Sequence, residues 1–284
     1  MGVDALSAAK LAIYIVLIQP SFYTLWKHGR TGLLGWFYLN AFCVLRIVTD
    51  AMTLHPNTGT ATLILASIGL APLLFATAGI LHEARLAREP GINNKIEWIL
   101  QLQFHAIVIA GVVLVIIGVV NIEGKSNLTE TKLHTNQHLV EAGAGVMVVA
   151  WLALVLWSLW STRLRATADV PSFRGGTILL HAVIATLVFN GVRLVYAITS
   201  LILRITHPDS GFLTSTAASV CLSVVPEMLV VIIFLVGGLR TRNLRKTMKT
   251  MNKYTAQPLQ TGMQPMPAQY NAPQYQSNQY NSQY

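Results

Sequence analysis

AIVIAGVVLVIIGVV, residues 106–120, contains no charged, amide or hydroxyl side chain, and the apolar character reaches back to Trp98 with only Gln101, Gln103 and His105 diluting it. At about 1.5 Å per residue, a helix over 98–120 is about 35 Å long, enough to cross a hydrocarbon layer about 30 Å thick. A run of this length and composition belongs in a bilayer as a helix, where its backbone groups satisfy one another. Six further runs of similar character flank it, over 5–26, 33–54, 61–81, 139–161, 177–204 and 213–239. The intervals between them hold turn and charge chemistry: Lys27-His28-Gly29-Arg30, His55-Pro56-Asn57, Glu89-Pro90-Gly91, Pro171 to Gly176 and His207-Pro208-Asp209.

The rest of the composition agrees. Of 284 residues, 53% are hydrophobic and 11% charged, where a soluble domain carries about a quarter charged. A soluble single domain, a disordered chain and a collagen-like chain are therefore excluded. The two cysteines, Cys43 and Cys221, both lie inside apolar runs and build no extracellular disulfide framework. The first run starts close to Met1 without a basic leader and without a small-residue cleavage pattern, so it is expected to be retained as a first span.

The net charge of +9 is a statement about topology, not about nucleic acid. Lys27 and Arg30, then Arg85, Arg88 and Lys95, then Arg163, Arg165 and Arg174, and finally six basic residues between Arg240 and Lys253 follow runs one, three, five and seven. The alternate intervals hold only Lys125 and Lys132. The positive-inside rule then predicts seven spans with the N-terminus outside and the C-terminus in the cytosol, in the plasma membrane or another membrane of the secretory pathway. Asn127-Leu-Thr falls in a predicted outer loop, where it is a glycosylation acceptor. Residues 1–239 form the membrane domain on this scheme. The segment 240–253 has no acid and is predicted to lie against anionic inner-leaflet lipids. Residues 254–284 are uncharged and rich in Gln, Tyr, Asn and Pro, with Gln-Tyr recurring, and are expected to be a disordered cytosolic tail open to a protein partner.

The positions that speak to function are ionisable residues in the middle of spans, each costing at least about 2.5 kcal/mol if it faces lipid alone. Arg46 and Asp50 share a face of span two; Arg193, with Asn190 three residues before it, lies near the middle of span six; Glu227 follows Pro226 in span seven. Two cations and two anions cancel, and the expected pairings are Arg46 with Asp50 and Arg193 with Glu227. Pro226 withdraws a donor from the carbonyl near Leu222, and broken backbone at this depth is buried in protein or lines water. A polar midplane cavity that binds a ligand and a buried ionic lock that fixes helix packing both fit this set. A second polar stripe runs through Glu97, Gln101 and His105. On the outer side His134, His138 and Glu141 are spaced to hold zinc or copper with a water if span five starts early, and equally suit solvated residues at a helix start.

No lysine occurs in spans two to seven, so no Schiff base to a retinal forms there, and neither a phosphate-cradling glycine loop nor a histidine set for water activation is present. The expectation is a protein that is not an enzyme and carries no cofactor. Through Phe42-Cys-Val-Leu-Arg46-Ile-Val-Thr-Asp50, Asn190-Gly-Val-Arg193-Leu-Val-Tyr196 and Val225-Pro226-Glu227 the chain resembles uncharacterised fungal seven-helix integral membrane proteins. These are distantly similar to the lipid-translocating exporter (aminocholesterol-resistance) family, and span six departs from that family in lacking a second arginine and a following glutamate. The resemblance covers the seven spans and implies membrane localisation and handling of lipids or toxicants. The expected protein is thus an all-α polytopic bundle, a transporter or exporter of lipids or small amphiphiles. A receptor-like sensor and a non-catalytic membrane organiser are the alternatives.

Overall fold

The computed structural model describes residues 3–55, 65, 69–89, 91–123, 130–163, 170–207 and 209–256, and they are helical apart from short connections. Helix α1, Val3–Thr53, is interrupted at Gly29, whose φ of 57° and ψ of −141° are foreign to a helix. The two limbs on either side, 3–28 and 30–53, fold back on each other. Lys10 lies 2.6 Å from Asp50, the rings of Tyr14 and Phe42 meet at 5.8 Å, and Asn40 Nδ2 donates to Ser21 O at 3.1 Å. A straight helix would put residues 10 and 50 about 60 Å apart. Gly29 is the hinge because a side chain at positive φ is strained and because a Cβ there would strike the guanidinium of Arg245.

Helix α2 is Leu70–Arg88, α3 Asn94–Glu123, α4 Glu130–Arg163 and α5 Phe173–Thr206. The last rod is broken. Two single turns, α6 (Gly211–Thr214) and α7 (Thr216–Ser219), lead into a widened π turn over Val220–Val224 and then α8, Val225–Arg240. Val225 N–H donates five residues back, to Val220 O, directly before Pro226, which has no N–H to give. A basic helix, α9 (Leu244–Ala256), follows.

Five of these helices are long and apolar enough to cross a membrane: α1, α3, α4, α5 and the rod ending in α8. With α1 folded at Gly29 and α2 between, the described residues make seven long rods. Large apolar side chains such as Trp26, Leu102, Leu156 and Trp160 point outward, while Arg46, Asp50, Glu83, Arg193 and Glu227 are buried. Apolar outside and charged inside is the arrangement a bilayer demands; the chain is an α-helical, multi-pass membrane protein.

The boundaries differ from the hydropathy reading at the third and fifth runs. The third was expected to end at residue 81, and α2 runs to Arg88, because Ala84 and Ala87 carry the buried face onward and His82, Glu83, Arg85 and Arg88 all find partners. Of the expected start of that run, residues 61–64 and 66–68 lie outside the described residues, as do Asn127 and the tail from 257 on. Helix α4 begins nine residues earlier than expected, at Glu130. Close approach of helices rests on glycine: a Cβ on Gly35 or Gly79 would run into the backbone of the other helix, locking the second limb of α1 against α2.

The connections after the first limb of α1, α2, α4 and α8 gather at one end of the bundle. There Ser172 Oγ donates to Ala87 O at 2.6 Å, Arg88 Nη1 to Ser161 O at 2.9 Å, and a Cβ on Gly175 would touch Leu244.

Candidate functional site

Glu227 stands at the first turn of α8, immediately beyond the π turn, and is buried between α1 and α5. Its Oε1 accepts from Arg46 Nη2 and, at 2.5 Å, from Arg193 Nε. One carboxylate thus ties three elements. The bond between Arg193 and Glu227 is the expected one; the expected pair of Arg46 with Asp50 does not form. Spacing of four places these two on one face of the second limb, but the hairpin at Gly29 brings Lys10 opposite Asp50, and its ammonium takes that carboxylate at 2.6 Å. Arg46 is left to Glu227, with its guanidinium over the Phe42 ring. Asn190 turns away from the arginines and donates to Thr77 Oγ1 of α2 at 3.0 Å.

Beside this cluster lies a cavity of about 260 Å³, far above the roughly 10–15 Å³ that one water needs. Its polar side is made by Lys10, Tyr14, Arg46, Arg193, Arg204 and Glu227. Its apolar side comes from α3 and α4, through Val112, Val115, Ile116, Val119, Ala144 and Met147. It extends past Ser200 and Arg204 of α5 to Leu213 of α6 and Ser219 and Ser223 around the π turn, toward the end of the bundle opposite the basic connections. Tyr14 is fully buried in its wall, and its hydroxyl has no hydrogen-bond partner among the described residues; Arg46 Nε is likewise buried without one among them.

The other sequence-derived sites lie elsewhere. Glu97, Gln101 and His105 do share the inner face of α3, but at the opposite end from the cavity. Glu97 binds Arg85 Nη2 at 2.7 Å and lies 3.5 Å from His82 Nδ1, joining α3 to α2. His105 Nδ1 sits 2.7 Å from Gln101 O, which it reaches as a donor, and its ring stacks on Phe75 at 4.5 Å. That is a packing role. His134 and His138 are exposed, and His138 is 3.4 Å from Glu141. The expected metal set does not assemble: among the described residues no three His, Cys, Asp or Glu converge on one point, because the side chains stand on the solvent side of α4 with no second element facing them.

A second buried network, unforeseen from sequence, closes the basic end. Glu83 of α2 is wholly buried and accepts from Trp36 Nε1 at 2.8 Å, and its other oxygen lies 2.6 Å from His28 Nδ1. His28 Nε2 lies 3.1 Å from Gly238 O. His28 thereby bridges the Glu83 carboxyl of α2 to the Gly238 carbonyl of α8. The apolar approach to Gly238, where a Cβ would strike the Trp36 ring, completes the seal between α1, α2 and α8.

A family model described as a domain of unknown function (DUF7702) matches residues 2–244, the whole described membrane region and the turn after it. The chain belongs to the DUF7702 family. No curated protein matches this DUF7702 chain. Among solved structures, the crystal structure of Exiguobacterium sibiricum rhodopsin is similar with a TM-score of 0.44 and 13% identity, over 87% of this chain and 99% of that one.

Proposed function

We propose that this protein is a transporter that takes a small amphiphile into the cavity beside Glu227 and carries it across the membrane. The observation that carries the reading is the cavity itself: a space large enough for a ligand, with buried charge on one side and an aliphatic wall on the other, in the middle of a membrane bundle. The opposite end of the bundle is closed by the network of Glu83, His28 and Trp36. One-sided access with a second, plugged end is what alternating access requires of a single state.

The proposed orientation follows the charges. The basic connections gather at one end, which faces the cytosol, and the chain crosses seven times with its N-terminus outside. The cavity then opens from the outer half. Helix α9 sets Leu244 and Met248 against the bundle and leaves Lys246 and Lys249 exposed for the anionic inner leaflet of the plasma or another secretory-pathway membrane. A receptor-like role is the second reading, favoured by Glu227 binding both Arg46 and Arg193, since such a three-element tie suits a conformational lock.

The test is uptake of radiolabelled octyl amphiphiles with neutral, cationic and anionic heads into proteoliposomes, by wild type and by Ala197→Phe. Ala197 lines the cavity without carrying charge, so a ring there fills the space. The transport reading expects uptake of at least one probe by wild type and its loss in the variant, with an unchanged or raised melting temperature. Specific binding without uptake transfers the site to the receptor reading, and uptake undiminished in Ala197→Phe removes the cavity from the account.

A further inference from the structure

Charge around the cavity does not balance. Lys10, Arg46, Arg193 and Arg204 all line it, and among the described side chains the acids beside it are Glu227, which lines it, and Asp50, which holds Lys10 from behind. Two positive charges remain over among these residues. Arg46 and Arg193 already share one carboxylate oxygen, and Arg204, near the open end, has no ion pair among the described residues.

The hydrogen-bond inventory points the same way. The Tyr14 hydroxyl is a donor in the cavity wall at 0% exposure with nothing to donate to among the described residues, and Arg46 Nε is a second buried donor without an acceptor among them. Buried donors left unmatched are costly, and what satisfies both is an acceptor, best a charged one. Opposite them, Val112, Val115, Ile116 and Val119 lie along one side of α3 over about 10 Å, the reach of a medium alkyl chain rather than of a second polar group.

We infer that the cavity selects an anionic amphiphile, an alkyl carboxylate or alkyl phosphate, whose head is held by Tyr14 and Arg46 with Arg204 attracting it at the mouth and whose chain lies on the α3 wall. This inference rests on the proposed amphiphile site and names its substrate class. Glu227 does not oppose it. The acid is offset by two guanidiniums and sets the position of Arg46, so the anion meets the Nε of Arg46 that Glu227 leaves unmatched. The phosphate or carboxylate can derive from a lipid breakdown product or from a free fatty acid, and the two head groups tell these sources apart.

The experiment measures binding of octyl phosphate, octanoate, octyltrimethylammonium and octyl glucoside to the full chain in phosphatidylcholine nanodiscs. Wild type, Tyr14→Phe and Arg204→Gln are compared. Tyr14→Phe removes a hydroxyl that has no protein partner, and Arg204 is exposed, so neither change threatens folding. The inference expects both anions to bind at least tenfold tighter than the cation and the glucoside, with each variant about tenfold weaker toward the anions and unaltered in melting temperature. A preference of phosphate over octanoate assigns the lipid-derived source, and the reverse the fatty acid. Equal or tighter binding of octyltrimethylammonium or octyl glucoside overturns the anionic selectivity while leaving an amphiphile site. Tight anion binding that neither variant weakens overturns the assigned head-group residues. No binding by any probe overturns both this inference and the function it rests on.

Discussion

At the residue scale the account turns on Glu227. Removing its charge leaves Arg46 and Arg193 buried together without their shared anion, and breaking a buried pair by deleting one partner costs about 3–5 kcal/mol. Glu227→Gln is expected to lower stability by that order, measured by thermal or denaturant unfolding in micelles. Arg193→Gln is expected to cost less, since Arg46 keeps the carboxylate. In the second network Trp36→Phe deletes one hydrogen bond to the buried Glu83 carboxylate. A bond to a charged group is worth about 1.5–3 kcal/mol, and unfolding of that variant should show a loss in this range. The four mid-span charges were legible in the sequence because each is expensive in lipid, and neutrality required partners for them. Helical spacing tells which residues share a face, however, and not which neighbour arrives opposite. That is why Asp50 was matched to Arg46 when Lys10, near the end of another run, holds it. Tyr14, which turned out to line the cavity, gave no signal at all, since a tyrosine in an apolar run is commonplace.

The informative elements are the two breaks. Gly29 turns α1 back on itself at a φ of 57° and a ψ of −141°, a region essentially reserved for glycine and costing another residue roughly 1–3 kcal/mol, and the guanidinium of Arg245 occupies the place of a Cβ. Gly29→Val is expected to destabilise by more than the backbone term alone, read as a lowered melting temperature and looser packing of α9. Pro226 explains the second break. With an N–H restored at that position, the π turn over Val220–Val224 loses its cause, and relaxation to regular α geometry turns Glu227 relative to Arg46 by up to about 100°. Pro226→Ala should therefore keep its helical circular dichroism and lose affinity for octyl phosphate. Undiminished affinity would show that the turn is incidental to the site. Both breaks were legible in the sequence, from Gly29 between basic residues and from Pro226 beside an acid. The end of α2 was not, because His82, Glu83, Arg85 and Arg88 look like a loop until the partners on α1, α3 and α4 are known.

On the scale of the whole molecule, composition and the distribution of lysine and arginine already required a helical membrane protein, and the burial pattern of the bundle agrees. The direction of insertion is a separate claim. With the N-terminus outside, Asn127 faces the lumen during synthesis, so translation with microsomes should give a glycosylated band that disappears in Asn127→Gln, and an acceptor site engineered between Arg240 and Lys253 should stay unmodified. Modification of the engineered site instead would invert the scheme. A polar cavity beside Arg46, Arg193 and Glu227 was one of the two expectations from the sequence, but its extension to Tyr14 and to the aliphatic side of α3 and α4 was not legible, since it arises where several distant helices leave space between them.

The most direct test of a ligand site in the cavity is photo-crosslinking of a diazirine-tagged octyl phosphate to the full chain in nanodiscs, with adducts mapped by mass spectrometry. The account predicts labelling at Val112 to Val119 and Met147 that excess untagged octyl phosphate competes away. Adducts confined to outward residues such as Leu102, Leu156 and Trp160, with none in the cavity, would contradict it.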